Sequence, residues 1–154
     1  MALVIKKSIK DEAETLLGIQ IEAFTEDLKR YEDFKTSPAT ESVEKVNWRI
    51  DNFLHFTIWL NSEIIGGIYV REVGESEFRL NRIFISNAYQ NKGLGSRVMK
   101  LVEDKFPQTR KWYLDTPKLN PRNHHFYEKL GYKKTGEHQV NKKLTLLDYE
   151  KEMI

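Results

Sequence analysis

Residues 89–100, YQNKGLGSRVMK, set two glycines and two cations just after the apolar run Ile83, Phe84, Ile85, where a helical pattern begins. Backbone N–H groups at a helix start point outward without partners and carry the positive end of the helix dipole. Glycine permits turns that a side chain forbids and lets a ligand approach the backbone closely. Lys92, Gly93, Leu94, Gly95 and Ser96 can therefore cradle a phosphate, with Lys92 and Arg97 adding charge. The stretch is not a P-loop, because its lysine precedes the first glycine and no GxxxxGK is present. It is not a dinucleotide fingerprint either: Val98 stands where a third glycine belongs, and no acid ends a strand ~20 residues later. A pyrophosphate nest lacking both motifs and a tight turn that binds nothing are both compatible with the glycines alone.

Other chemistry is bounded by what the chain contains. With no cysteine, disulfides, thiolate metal sites and a cysteine nucleophile are excluded. His124 and His125 are adjacent, so they fall on different helix faces and make a poor ligand pair; no metal is expected. Serine stays open as a nucleophile, but no Ser-His-acid spacing stands out. The net charge is +2, unevenly spread: residues 11–44 hold ten acids against three bases, and residues 92–111 hold six bases against two acids. Two solvated helix faces would account for this. So would a cationic ligand near the first segment and an anionic one near the second. There is no long basic tract, so no nucleic-acid partner is expected.

At 154 residues the chain is read as one domain, 1–154. No apolar run approaches the ~20 residues of a membrane span, so no membrane partner is expected. The start, MALVIKKSIKDE, is too short in its apolar part for a signal peptide and reads as an edge strand, implying a cytoplasmic protein. Leu3–Lys7 reads as a strand, with a helix starting near Ser8–Asp11 and keeping apolar spacing from Ala13 to Leu28. Residues 29–40 read as a loop and Glu41–Phe53 as a second helix. Phe56–Leu60 and Ile64–Val70 form a hairpin, and Phe78–Ile85 extends it to a meander. A helix from Leu94 to Phe106, a strand Trp112–Thr116 and a helix Asn120–Leu130 closed by Gly131 follow. Strands Lys133–Glu137 and Leu144–Lys151 finish the chain, the last pair presenting an edge that suits a homodimer. The order β-α-α-β-β-β-α-β-α-β-β implies a mixed α/β sheet with helices on both faces and a right-handed parallel crossover.

Two blocks carry a resemblance. Gln90-x-x-Gly93-x-Gly95, after the strand Leu80–Ile85, resembles the acetyl-CoA pyrophosphate loop of the GNAT N-acetyltransferases. About 25 residues on, Asn120-Pro-Arg-Asn-His-His-Phe126-Tyr127-Glu-Lys-Leu-Gly131-Tyr132 is similar to that family's Asn…Phe-Tyr-x-x-x-Gly-Phe/Tyr segment. The close match covers residues 78–132, and the element order extends it in pattern to the rest. The resemblance implies a mostly antiparallel central sheet, helices on both faces, and a parallel pair splayed at the cofactor site. It also implies acetyl transfer from acetyl-CoA to a primary amine of a small molecule or peptide.

An amine of pKa about 10.4 is almost wholly protonated near neutral pH, and presenting it as a nucleophile costs roughly 4–5 kcal/mol. A base must take its proton, a donor must meet the oxyanion, and an acid eases departure of the thiolate. Without cysteine, direct attack in a ternary complex is the simplest route.

By resemblance, the backbone N–H near Ile83 polarises the thioester carbonyl, and the strand Ile83, Phe84, Ile85 pairs with the pantetheine amides. Gln90, Asn91, Lys92, Gly93, Leu94, Gly95 and Ser96 hold the pyrophosphate. Tyr127 protonates the thiolate or is a core aromatic, and Asn120 bonds the pantetheine arm, caps its helix, or does both. Arg122 reaches the phosphates or is merely solvated.

The glutamate that some relatives use as general base falls on Arg79 here, which leaves Asp115 first, then Glu72, Glu22 and His55. The acidic, aromatic first third, with Phe24, Glu26, Asp27, Tyr31 and Phe34, is the expected acceptor pocket. A non-catalytic acetyl-CoA sensor and a nucleotide-binding module using the same nest are the alternatives.

Overall fold

A computed structural model describes residues 2–153. Seven strands make one sheet: β1 (Leu3–Lys7), β2 (Leu54–Leu60), β3 (Glu63–Gly74), β4 (Glu77–Ile85), β5 (Lys111–Pro117), β6 (Lys133–Gln139) and β7 (Thr145–Glu152). Their order across the sheet is β1-β2-β3-β4-β5-β7-β6, and only β4 and β5 run parallel. Four α-helices are described: α1 (Ala13–Tyr31), α2 (Val43–Asn52), α3 (Leu94–Lys105) and α4 (Pro121–Lys129). No described helix is long and apolar enough to cross a membrane.

The middle of β2 and β3 is buried on both faces, because each face carries its own layer. On one face Leu94, Val98 and Val102 of α3, with Tyr127 of α4, pack on Ile58, Ile68, Leu80, Trp112 and Leu114. On the other, Ala13 and Leu16 of α1 and Val46 and Ile50 of α2 close over Phe84. The strand β6 lies at an edge, almost wholly exposed and built of polar residues.

Both ends of the first helix differ from the sequence reading. The first helix runs on to Tyr31, three residues past Leu28, because Tyr31 is 3% exposed and packing holds the last turn. Glu32 then ends it in a left-handed conformation (φ 52°), its N–H donating to the Leu28 carbonyl at 2.8 Å. At the other end Ser8 does not cap the helix. Its hydroxyl lies 2.8 Å from His55 Nδ1 and 2.8 Å from Thr57 Oγ1, and a 3-10 turn, Lys10–Glu12, precedes α1.

The site is opened by one irregularity. In β4 the pairing with β3 passes from Val70↔Leu80 to Tyr69↔Arg82, so Asn81 is bulged out of register. Bulges bend and twist a strand. Parallel pairing with β5 ends at Arg79↔Tyr113, and beyond it the β5-facing edge of β4 has no strand partner.

Candidate active site

A cavity of about 250 Å³ fills the gap where β4 and β5 part. Phe24, Asp27 and Tyr31 of α1, Asn81, Arg82 and Ile83 of β4, and Asp115 of β5 all line it. Tyr127 reaches it from α4, and Val140, Leu144 and Leu146 close it from the β6–β7 hairpin. Three of the five residues expected to meet the acceptor are thus brought together. Glu26 and Phe34 are not. The Glu26 side chain is 88% exposed beside Lys29, and Phe34 is 66% exposed beyond the cavity wall. Helical geometry explains Glu26: it neighbours Asp27 in sequence and so points about 100° away.

Asp115 lies just beyond the last β4–β5 pair and meets Arg79, whose Nη2 donates to Oδ2 at 2.5 Å. The arginine that replaces the expected glutamate is therefore the partner of the first-ranked base. Burial pushes the Asp115 carboxyl above the usual aspartate range, Asp148 adds to the rise, and Arg79 and His138 oppose it. Asp115, His138 and Asp148 bring candidate metal-ligand atoms within 4.8 Å of one another, but the Arg79 cation already occupies one side of that group. The other candidate bases lie elsewhere. Glu22 accepts from the Asn87 N–H at 2.7 Å, Glu72 is exposed, and His55 is 1% exposed inside the sheet layer.

Tyr127 is held by aromatic neighbours, Phe126 at 5.0 Å and Tyr132 at 5.8 Å between ring centroids. It is thus a core aromatic and a cavity-lining phenol at once. Burial first, and then the Asp115 charge, raise its pKa, so it stays protonated and able to donate.

The glycine turn sits at the mouth of α3. Asn91 (φ 62°) and Gly93 (φ 74°) both have positive φ, a backbone conformation that anion nests use. A Cβ on Gly93 would meet nothing within 4 Å, so this glycine serves the backbone conformation and leaves open space in front of it. Gly95 differs: a Cβ there would lie 3.2 Å from the Phe126 ring, so it serves the packing of α3 on α4. Leu94 is buried in the core and offers only its backbone, whereas Lys92, Ser96 and Arg97 are exposed. Gln90 ties the loop to the strand end, donating to the Ile85 carbonyl at 3.0 Å. Arg122 donates to the Asn91 side chain, and Asn120 caps α4 by accepting from the Asn123 N–H at 3.1 Å. The two sequence blocks, about 25 residues apart in the chain, therefore meet in space through Arg122–Asn91 and Phe126–Gly95.

The sequence reading missed Asn81 and Arg82. Their signal was present, as two consecutive polar residues inside the apolar strand LNRIFI, where a regular strand would alternate.

The parallel pair thus parts beside the glycine turn, and the cavity lies at that parting. The solved PaiA N-acetyltransferase of Thermoplasma acidophilum, in complex with coenzyme A, superposes with a TM-score of 0.78 at 20% identity, over 99% of this chain and 100% of that one. A spermidine N-acetyltransferase chimera from Vibrio cholerae SpeG and hSSAT gives 0.78 at 16% identity, over 99% and 96%. AAC(6')-Ib in complex with ribostamycin and coenzyme A gives 0.75 at 14% identity, over 99% and 94%. At such identities these likenesses show the fold. The model of the acetyltransferase (GNAT) family matches residues 17–132, from α1 through the glycine turn to Tyr132. With three-quarters of its length so matched, the chain belongs to the GNAT acetyltransferase family.

Proposed function

We propose that the protein transfers the acetyl group of acetyl-CoA to a primary amine of a small molecule or peptide, by direct attack in a ternary complex. The observation that carries this reading is the shared cavity: the Asp115 carboxyl and the Tyr127 phenol face one space of about 250 Å³ at the splay of β4 and β5. Sites that hold drug-sized ligands run to ~300–1,000 Å³, so this one suits a small amine or the end of a longer one.

The nest fits the pyrophosphate. Its open front at Gly93 is the space a Cβ would narrow, the Leu94, Gly95 and Ser96 N–H groups start a helix, and Lys92 and Arg97 supply charge. Arg122, already anchored on Asn91, stands at the rim of the same nest. Bound acetyl-CoA supplies the activated thioester. The unpartnered edge of β4 at Ile83, Phe84 and Ile85 takes its pantetheine arm as an added strand, and the Ile83 backbone N–H polarises the carbonyl. Asp115, with its carboxyl raised by burial, accepts the proton of the amine. Tyr127, kept protonated, donates to the departing sulfur. Phe24, Asp27 and Tyr31 hold the acceptor.

The test is calorimetric titration with acetyl-CoA, coenzyme A and ADP on wild type and Gly93→Asp, followed by thiol release on adding amines. Lacking cysteine, the chain contributes no thiol background. Tight coenzyme A binding, weak ADP binding and loss in the variant are expected, with thiol release dependent on amine. A folded protein that ignores coenzyme A would overturn the reading. One that binds acetyl-CoA but releases no thiol with any amine would be a sensor instead.

A further inference from the structure

One positive charge in the acceptor cavity has no use in the chemistry above. Arg82 projects from β4 into the same space as Tyr31, Asn81 and Asp115. Its Nη1 donates to Glu41 Oε1 at 2.9 Å, and among the described residues this is the only hydrogen bond its side chain makes to protein. Glu41 is already committed. Arg49 holds it through both guanidinium nitrogens, and Gln20 Nε2 donates to Oε1 at 2.8 Å. Two guanidinium groups thus share one carboxylate, in surroundings where the Arg49, Arg82 and Glu41 side chains are 10%, 12% and 9% exposed.

Among the described residues no other acid lies within ion-pair distance of Arg82, although Asp27, Asp33 and Asp115 line the same cavity. The charged neighbours of Asp27 are Arg30 and Glu26, and those of Asp115 are Arg79, His138 and Asp148. His55 faces the same cluster and burial keeps it neutral, its pKa lowered to about 3. Arg82 is also fixed in place. Its guanidinium carbon lies 5.2 Å from the Tyr69 ring centroid and 5.9 Å from that of Phe24. A rigid, half-satisfied guanidinium facing a cavity is suited to a carboxylate. Beside it the Tyr31 hydroxyl and the Asn81 side-chain oxygen are buried without hydrogen-bond partners, a donor and an acceptor that also await a ligand.

We propose that Arg82 pairs with a carboxylate on the acceptor, so that the site takes zwitterionic amines, namely amino acids or close analogues, in preference to simple amines or polycations. This rests on the acetyltransferase reading of the same cavity. Arg82 and the Tyr31 hydroxyl hold the carboxylate, while Asp27 and Asp115 face the amine. Leu28, Val140 and Leu144 of the lining leave an apolar wall for a hydrocarbon side chain.

The test titrates matched pairs in the presence of coenzyme A: leucine and 3-methylbutylamine, phenylalanine and phenethylamine, lysine and cadaverine. At least one amino acid should bind ~10-fold or more tightly than its decarboxylated partner, as expected of a site built around a charged group. Arg82→Gln should erase that preference, and Arg82→Lys, which keeps the charge without the fork, should restore part of it. If no amino acid binds better than its amine, or if the preference survives in a folded Arg82→Gln, the proposal is overturned. The wild-type comparison stands even where a variant fails to fold. Because binding is read without turnover, absence of thiol release with every amine would count against the transferase reading and not against this one.

Discussion

The Asp115 carboxyl sits 2.5 Å from one cation and is nonetheless raised, because burial outweighs Arg79. A base works only when deprotonated. kcat/KM should therefore rise with pH through a limb above the ~3.9 of an ordinary aspartate. Asp115→Asn should abolish that limb and lower kcat/KM by ~10²-fold. A pH profile of the variant parallel to wild type would assign the base elsewhere. Tyr127 presents a hydroxyl with no protein hydrogen bond among the described residues, so Tyr127→Phe should leave thermal stability nearly unchanged. Loss of the proton donor should still cut kcat by ~10²-fold or more, with coenzyme A affinity preserved. Equal losses in kcat and in affinity would mark it as a packing residue alone.

At the scale of elements, the two glycines of the turn separate by mechanism. Gly93→Ala meets open space but forces a side chain into φ 74°, a cost of about 1–2 kcal/mol. Urea unfolding should show that loss. Gly95→Val keeps its backbone in the ordinary helical region but drives side-chain atoms into Phe126, which adjoins Tyr127 on α4. It should lower turnover as well as stability, because the Phe126 ring must give way and Tyr127 follows it in the chain. If Gly95→Val turned over like wild type, the α3–α4 contact would not be what positions Tyr127.

Across the whole molecule, acid stability should register His55. In the folded chain it is neutral, with a pKa of about 3, because burial opposes its charge and Lys7, Arg49 and Arg82 add to that. The unfolded residue titrates near ~6.5. Between these values the unfolded state binds one more proton. The stability His55 confers is complete above pH ~6.5 and is lost as pH falls toward 3, at ~1.4 kcal/mol per pH unit. Urea unfolding from pH 6 to 4 should show a slope shallower by about one proton in His55→Gln than in wild type. Identical slopes would mean that His55 is charged in the folded protein.

The order of all eleven helices and strands could be read from the sequence, because periodicity of 2 or 3.6 and turn residues act within a few positions of one another. The glycine turn and the Asn120–Tyr132 segment were legible for the same reason, each being one contiguous stretch. Only the tertiary structure decided what crosses the chain. Arg79 meets Asp115 across 36 positions, Arg82 meets Glu41 across 41, and Arg122 meets Asn91 across 31. It also decided that Asp27 faces the cavity while Glu26 faces water, and that Gly95 packs tightly against Phe126. Composition pointed to an acidic, aromatic segment as the expected acceptor pocket, but charge counted along a chain carries no direction. The bulge at Asn81 and the parting of β4 from β5 depend on which strands become neighbours, and that is fixed by packing both sheet faces at once.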